Sequence, residues 1–488
     1  MAFVTSINGL RLARLLGDWS ARGHSGPAYA RLATAVRLLV LDGRLALTTR
    51  LPGERELAAA LGISRTTVTS AYDLLRAAGY ATSRHGSGTW TALPASRCGD
   101  TSAAPWAPAE PEDAHLLDLA HAAPEAPAHV LREAYDAALE QLPRYLPGHG
   151  YELYGLPELR TVVSERFTSR GLPTTPDQIL VTAGAQHAFS LVLALAISPG
   201  DRVLVDHPTY PNALDAARRA GARLVPVALT DEGWDVEATA AALRQTAPRL
   251  AYLVPDFHNP TGLLATVDER SALARQLATS RTLTVVDETL VELRLDGGDQ
   301  PPPFASYAPD SQVVTIGTVS KSFWGGLRVG WLRADRATVQ RLAAVRATID
   351  NASPILEQLA VAFLLGHADD VLPARRRELR IRRDALVAAL AQHVPQWTVR
   401  VPDGGLVLWC DLGAPVSSAL VGAAERHGLR LAAGPRFGVD GAFERRVRLP
   451  FTYPVDVLVD AAGRLAAAYR SVTEGQAAEQ DAPVVAFA

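Results

Sequence analysis

From about residue 116 to residue 473, short β-rich runs at 179–182, 203–205, 252–254, 284–286 and 313–316 alternate with helical stretches. Strands separated by helices pair in parallel, so this part of the chain is expected to form an α/β domain around a mostly parallel sheet, with ligands at the carboxyl ends of the strands. A chain of 488 residues has room for a second folding unit beside it. With 48% hydrophobic and 20% charged residues, it does not have the composition of a disordered protein. The sequence contains no apolar run long enough to cross a bilayer, and the first twenty residues carry Arg11, Arg14 and Asp18 where a signal peptide would be apolar. Cys98 and Cys410 are too few for a disulfide framework, and no His/Cys/Asp cluster has metal-ligand spacing. The expectation is a cytoplasmic protein that binds neither membrane nor metal.

The net charge of −3 hides a split. Residues 1–90 hold eleven arginines against five acidic residues, a net +6, and the remainder carries −9. A basic head on an acidic body suggests that the head alone meets a polyanion. In the head, Tyr29, Leu32, Ala33, Val36, Leu39 and Val40 recur at helical spacing until Asp42-Gly43 stops the helix. A second helix over 54–61 ends at Gly62. Ser64 caps a third over 65–78, with Val68, Ala71, Tyr72 and Leu75 as its buried stripe. Strands over 80–84 and 89–91, joined by His85-Gly86-Ser87-Gly88, complete a small α+β winged helix-turn-helix. Ser64, Arg65, Thr66 and Thr67 open the helix that would enter a major groove, where Arg forks onto guanine and hydroxyls reach phosphates or bases. Arg55 on the preceding helix, with Arg84 and Gly86 at the wing, is placed for phosphate or minor-groove contact, the alternative being an ordinary solvated face.

Residues 95–115, rich in Pro, Ala, Ser and acids, read as a linker. They divide the chain into a head of 1–94 (core 28–91), a body of 116–475 and a tail of 476–488. The body contains the chain's single lysine, Lys321, among 48 basic residues. Arg replaces Lys in nearly every surface role but cannot form a Schiff base, because its guanidinium stays protonated. The partners of a lysine-bound aldehyde cofactor can then be sought. The turn Gly184-Ala185-Gln186-His187 after a strand supplies backbone N–H groups for a phosphate. Asp287 ends the strand 284–286, where a carboxylate would keep a pyridine nitrogen protonated. Tyr210 offers a ring to stack on, and Asn259 in Asn-Pro-Thr-Gly a hydrogen bond to a phenolic oxygen. Thr318, Ser320 and Arg328 surround Lys321 as phosphate ligands. The arginine-rich stretch 375–383 reads as a solvated face or dimer rim.

Two ordered sets of motifs carry a resemblance. The string LPGERELAAALGISRTTVTSAYDLLRAAGY followed by HGSGT is similar to the winged-helix head of GntR transcription regulators. TAGAQHA, DHPTYP, NPTG, VVDE and GTVSKSFWGGLRVGW resemble fold-type I aminotransferases, and the combination resembles the MocR/GabR-type regulators. The resemblance implies pyridoxal 5′-phosphate (PLP) attached to Lys321, with Asp287 as pyridinium partner and Asn259 as phenolate partner. Tyr210 becomes the stacking ring, and Ala185, Gln186, Thr318, Ser320 and Arg328 take the phosphate. Arg448 falls where an α-carboxylate is bound, and Tyr151 at a position that reaches a neighbouring subunit's phosphate. It further implies a domain-swapped homodimer that binds a double-stranded operator and senses PLP, or an amine or amino acid condensed with it. The alternative is an aminotransferase whose head is secondary. One residue departs from the pattern: Leu290 stands three residues after Asp287, where the family usually has a Tyr, which puts efficient transamination in doubt.

Overall fold

Ser64 accepts a hydrogen bond from the Thr67 amide (3.1 Å) while its own backbone stays extended, and Gly62 closes the preceding helix in the left-handed conformation (φ 66°). These two residues create the sharp turn between two helices of the head. The computed structural model describes residues 5–17, 19, 27–41, 45, 47, 49–84, 88–92 and 116–480. Within it the head runs β1 (Thr5–Ser6), α1 (Gly9–Leu16), α2 (Ala28–Leu41), β2 (Thr49–Arg50), α3 (Glu54–Leu61), α4 (Arg65–Ala77), β3 (Ala81–Arg84) and β4 (Gly88–Thr91). Leu32, Val36, Leu57, Val68, Tyr72 and Leu75 close one core, as the helical spacing predicts. The wing is larger than its hairpin: β1 and β2 extend it to a four-stranded sheet, β1-β2-β4-β3. The residues ahead of 28 are thus part of the head, with Leu12 and Leu16 of α1 in its core and the Gly9 amide on Glu56 Oε1 (2.7 Å).

The body begins with β5 (Leu117–Asp118), followed by α5 (Ala128–Gln141) and α6 (Pro157–Ser169). The main sheet then forms from β6 (Ile179–Thr182), β7 (Arg202–His207), β8 (Arg223–Thr230), β9 (Gly233–Trp234), β10 (Leu250–Leu253), β11 (Leu283–Asp287), β12 (Val313–Thr318) and β13 (Gly330–Arg333). The order is β6-β13-β12-β11-β10-β7-β8-β9, parallel from β12 through β8. Both faces are covered. Val285 packs in a cluster with Phe189 of α7 (Ala185–Ala196), while its neighbour Val286 packs on the opposite side with Leu359 and Ala360. This two-sided burial is what makes the strands continuous apolar runs. A smaller sheet, β14 (Thr398–Val399), β15 (Val407–Asp411), β17 (Ala432–Ala433) and β18 (Arg446–Pro450), lies beside the pair formed by β5 and β16 (Leu429–Arg430).

Two differences from the sequence reading stand out. The arginines of the helix Ala368–His393 are only in part a solvated face: Arg377 and Arg380 are exposed, but three others are not. Arg375, Arg382 and Arg383 are buried, donating to the carbonyls of Glu125, Thr452 and Pro402 and to Asp296, so the guanidinium forks tie separate segments together. The final helix, Val455–Gln480, continues past residue 475 into the segment expected as tail. Within the chain the head rests on the body, through Arg11–Asp235 (2.5 Å) and the Phe443 amide on the Leu41 carbonyl (2.7 Å).

Gly330 sits where β13 passes the turn after β6. A Cβ there would lie 2.6 Å from the Gly317 oxygen and 2.7 Å from Gly184 Cα, both backbone atoms with no rotamer to give way. Gly330→Ala is therefore expected to cost about 1–3 kcal/mol, seen as a lower thermal unfolding midpoint. An unchanged midpoint would show that the approach is slack.

Candidate functional site

The carboxyl ends of the parallel strands open into a cavity of about 260 Å³. At one wall, β6 turns through Gly184 (φ 115°) into α7, whose first amides have no partner within the helix. Arg328, itself left-handed at φ 50°, donates to the Ala183 carbonyl at 2.7 Å, and a Cβ on Gly184 would come within 3.3 Å of its Nη2. Glycine keeps this cradle open. Thr318 and Ser320 join it from the end of β12, their hydroxyls 2.8 Å apart. Ala185 and Gln186 complete that side of the cavity.

Asp287 and Lys321 lie deeper. Asp287 ends β11, buried, accepting from the Thr289 amide at Oδ1 (2.9 Å) and from the Tyr252 hydroxyl at Oδ2 (2.6 Å). Burial pushes its pKa up, and these two hydrogen bonds oppose the rise. Lys321 Nζ donates to the Ala122 carbonyl at 2.7 Å. Burial, with help from the nearby Arg448 and Arg328 cations and against the pull of Asp287, lowers its pKa to about 8. Arg448 on β18 is fully buried, lies 4.9 Å above the Phe437 ring, and donates to Asn259 Oδ1 (3.4 Å) and to the Ala120 carbonyl. Burial brings its pKa down to about 10, so it stays a cation at neutral pH. Tyr210 lines the cavity, its hydroxyl receiving the Asn212 amide at 3.0 Å.

Every residue that the resemblance assigns to cofactor or effector lines this one cavity except Tyr151, which is exposed and stands against His149. Leu290 forms part of the wall, packed with Phe257, Leu293 and Leu406. Tyr252, His121, Ala122 and Phe189 also line the cavity and escaped the sequence reading. A tyrosine inside the fully buried run 250–253 was a usable signal, because a buried phenol needs a hydrogen-bond partner. His121 and Ala122 gave none, since only the return of the segment after residue 116 brings them here. Among the described residues no group of side chains is placed to hold a metal, and no helix is long and apolar enough to cross a membrane.

In the head, Arg55, Arg65 and Thr66 are exposed at the amino-terminal ends of α3 and α4. Ser64 is occupied as the cap of α4 and by the Thr66 and Thr67 hydroxyls, both at 2.8 Å. Arg65 pairs with Glu54 at 3.0 Å, so its fork must exchange a carboxylate for any base it reads. The Arg84 side chain and Gly86 lie outside the described residues.

Residues 116–465 match the aminotransferase class I and II family, and residues 28–90 match the bacterial regulatory proteins of the gntR family. The chain is 26% identical to the uncharacterised HTH-type transcriptional regulator YisV of Bacillus subtilis over 90% of its own length and 95% of that protein. It is 28% identical to the probable rhizopine catabolism regulatory protein MocR of Rhizobium meliloti, over 78% of this chain and 81% of that one. Among solved structures it resembles LysN, an α-aminoadipate aminotransferase from Thermus thermophilus, with a TM-score of 0.69 and 26% identity, covering 78% of this chain and all of that one. The body therefore belongs to the aminotransferase class I and II family, a PLP-binding fold-type I domain. With its DNA-binding head, the chain is a GntR regulator of the MocR type.

The lowered pKa of Lys321 gives a test on the protein without cofactor. Reductive methylation, read by mass spectrometry on the Lys321 peptide, should rise through a midpoint near pH 8 and then level off, because only the neutral amine reacts. A midpoint above 10, as for an ordinary lysine, would refute it.

Proposed function

We propose that the cavity holds PLP and reports the arrival of an amine or amino acid to the DNA-binding head. The observation that carries this reading is that the chain's only lysine, a buried carboxylate and a buried arginine converge in one cavity. The residues present fit the cofactor: a glycine-kept cradle of amides, hydroxyls and Arg328 suits a dianionic phosphate, and Asp287 suits a protonated pyridine nitrogen. When bound, PLP supplies an aldehyde and an electron-withdrawing ring to amines.

Each residue then has its task. Lys321 attaches the cofactor. Ala185, Gln186, Thr318, Ser320 and Arg328 hold its phosphate, Tyr210 packs on its ring, and Asp287 keeps its ring nitrogen protonated. Asn259 presents Oδ1 to Arg448, which turns Nδ2 toward the phenolic oxygen as donor. Arg448, still charged at neutral pH, receives the effector's carboxylate. Leu290 brings no hydroxyl to this set, which favours capture over turnover and so a sensor over an aminotransferase. Fold-type I bodies are typically dimeric, and we propose a homodimer with exposed Tyr151 directed toward the partner's phosphate. In a domain-swapped dimer the Arg11–Asp235 contact would close between subunits.

Two experiments test this reading. Purified protein incubated with PLP should show a visible absorbance that borohydride bleaches while fixing the cofactor covalently, and Lys321→Ala should abolish both. Brisk multiple-turnover transamination by the wild type would instead promote the enzyme reading. On DNA, Arg65→Ala should cost about 1–3 kcal/mol at the cognate operator and relax base preference at one position per half-site. Arg55→Ala should weaken all sequences evenly and flatten the salt dependence. Identical behaviour of the two variants on scrambled sites would remove Arg65 as a base reader.

A further inference from the structure

The Tyr252–Asp287 hydrogen bond follows from sheet register. Tyr252 on β10 lies beside Val285 on β11, and residues two apart on a strand share a face, so Tyr252 and Asp287 are diagonal neighbours on the same face. Such positions lie roughly 7–8 Å apart, beyond the reach of a short side chain but within that of a phenol. The hydroxyl arrives at 2.6 Å from Asp287 Oδ2. Phe189 of α7 packs on the Tyr252 ring at 4.8 Å between centroids and fixes its tilt. Tyr252 is itself buried, so no solvent competes for its hydroxyl. Burial and the adjacent carboxylate raise its pKa well above the ordinary value, so it remains a donor throughout the physiological range.

We propose that Tyr252 is a positioning residue that keeps Asp287 ionised and aimed at the ring nitrogen of the cofactor. The inference rests on reading Asp287 as the pyridinium partner. Asp287 is buried and would otherwise gain a proton on desolvation. The groups that bear on it are Tyr252 from β10, Thr289 from its own loop, Tyr210 from the turn after β7 and Lys321 from the loop after β12. Arg448 and Arg328 stand beyond, around Lys321. Of these, Tyr252 and Thr289 alone hydrogen-bond the carboxylate among the described residues, one on each oxygen. Loss of the hydroxyl removes a donor to the ionised form, so the carboxyl group takes up its proton at a higher pH. A protonated carboxyl cannot pair with a protonated pyridine, so cofactor affinity falls first on the acid side.

The test is PLP affinity of the full-length protein between pH 5 and 9, followed by visible absorbance, for wild type, Tyr252→Phe, Asp287→Asn and the double variant. Tyr252→Phe should bind PLP about tenfold more weakly at neutral pH, with the midpoint of its acid limb moved up by about one unit. In the Asp287→Asn background the same substitution should change little. An acid limb that coincides with wild type, or a loss of equal size in both backgrounds, would overturn the proposal. If Tyr252→Phe also lowers the unfolding midpoint of the cofactor-free protein, the pH midpoint still decides, because a packing defect does not move it. A wild-type protein showing no Lys321-dependent absorbance would mean instead that the cofactor reading itself had failed.

Discussion

In-register parallel pairing of β10, β11 and β12 is the constraint on which the site depends. Leu253 pairs with Val286 and Asp287 with Ile316, so three strands end at one edge of the sheet and release their loops into the same space. Asn259, Asp287 and Lys321 are far apart in sequence, yet each lies at or just beyond the end of one of these strands. The pleat decides the rest: a one-residue slip would turn Asp287 away from the face it shares with Tyr252. Helices on both sides make such a slip costly, because every apolar side chain of the strands would exchange its partners.

Charge at this edge is held in a poor solvent for ions. Burial alone would neutralise both Lys321 and Asp287, and each limits that tendency in the other. Buried Arg448 and the nearby Arg328 work against the charge on Lys321 and, with burial, leave a reactive amine near neutral pH. Arg448 itself stays charged at neutral pH, its guanidinium held by the Ala120 carbonyl and Asn259 Oδ1. The result is a cavity with fixed positive charge at both ends, suited to a ligand that carries a phosphate at one and a carboxylate at the other.

Much of this could be read in the sequence, for a definable reason. Strand ends, glycine turns and a helix cap are local signals, so the head, the alternating body and the lysine, aspartate and asparagine at the cavity were legible from residues near them in the chain. What escaped depends on topology. Tyr252 meets Asp287 only through register, and Lys321 meets Ala122 across 199 residues. Helix α1 offers a short apolar pattern that gains meaning only against the head core. Arg375, Arg382 and Arg383 look solvated in sequence because nothing local announces the carbonyls they hold. Arg65 looks free because Glu54, eleven residues earlier, comes back to it only once the two helices have packed.

The hydrogen bond from Lys321 to the Ala122 carbonyl ties the cavity to the stretch of chain that leads back toward the head. On the proposed reading, a lysine whose nitrogen was taken up in cofactor attachment would no longer have the freely rotating ammonium that makes this bond, so the two roles would compete. Competition of this kind is reciprocal in free energy: whatever factor the grip on residue 122 takes from cofactor affinity, the cofactor takes from the grip. On the proposed reading, the start of the body at residue 122 then behaves as a second ligand of Lys321. A pull on it from an operator-bound head would be measurable at the cavity as a change in how tightly the cofactor is held.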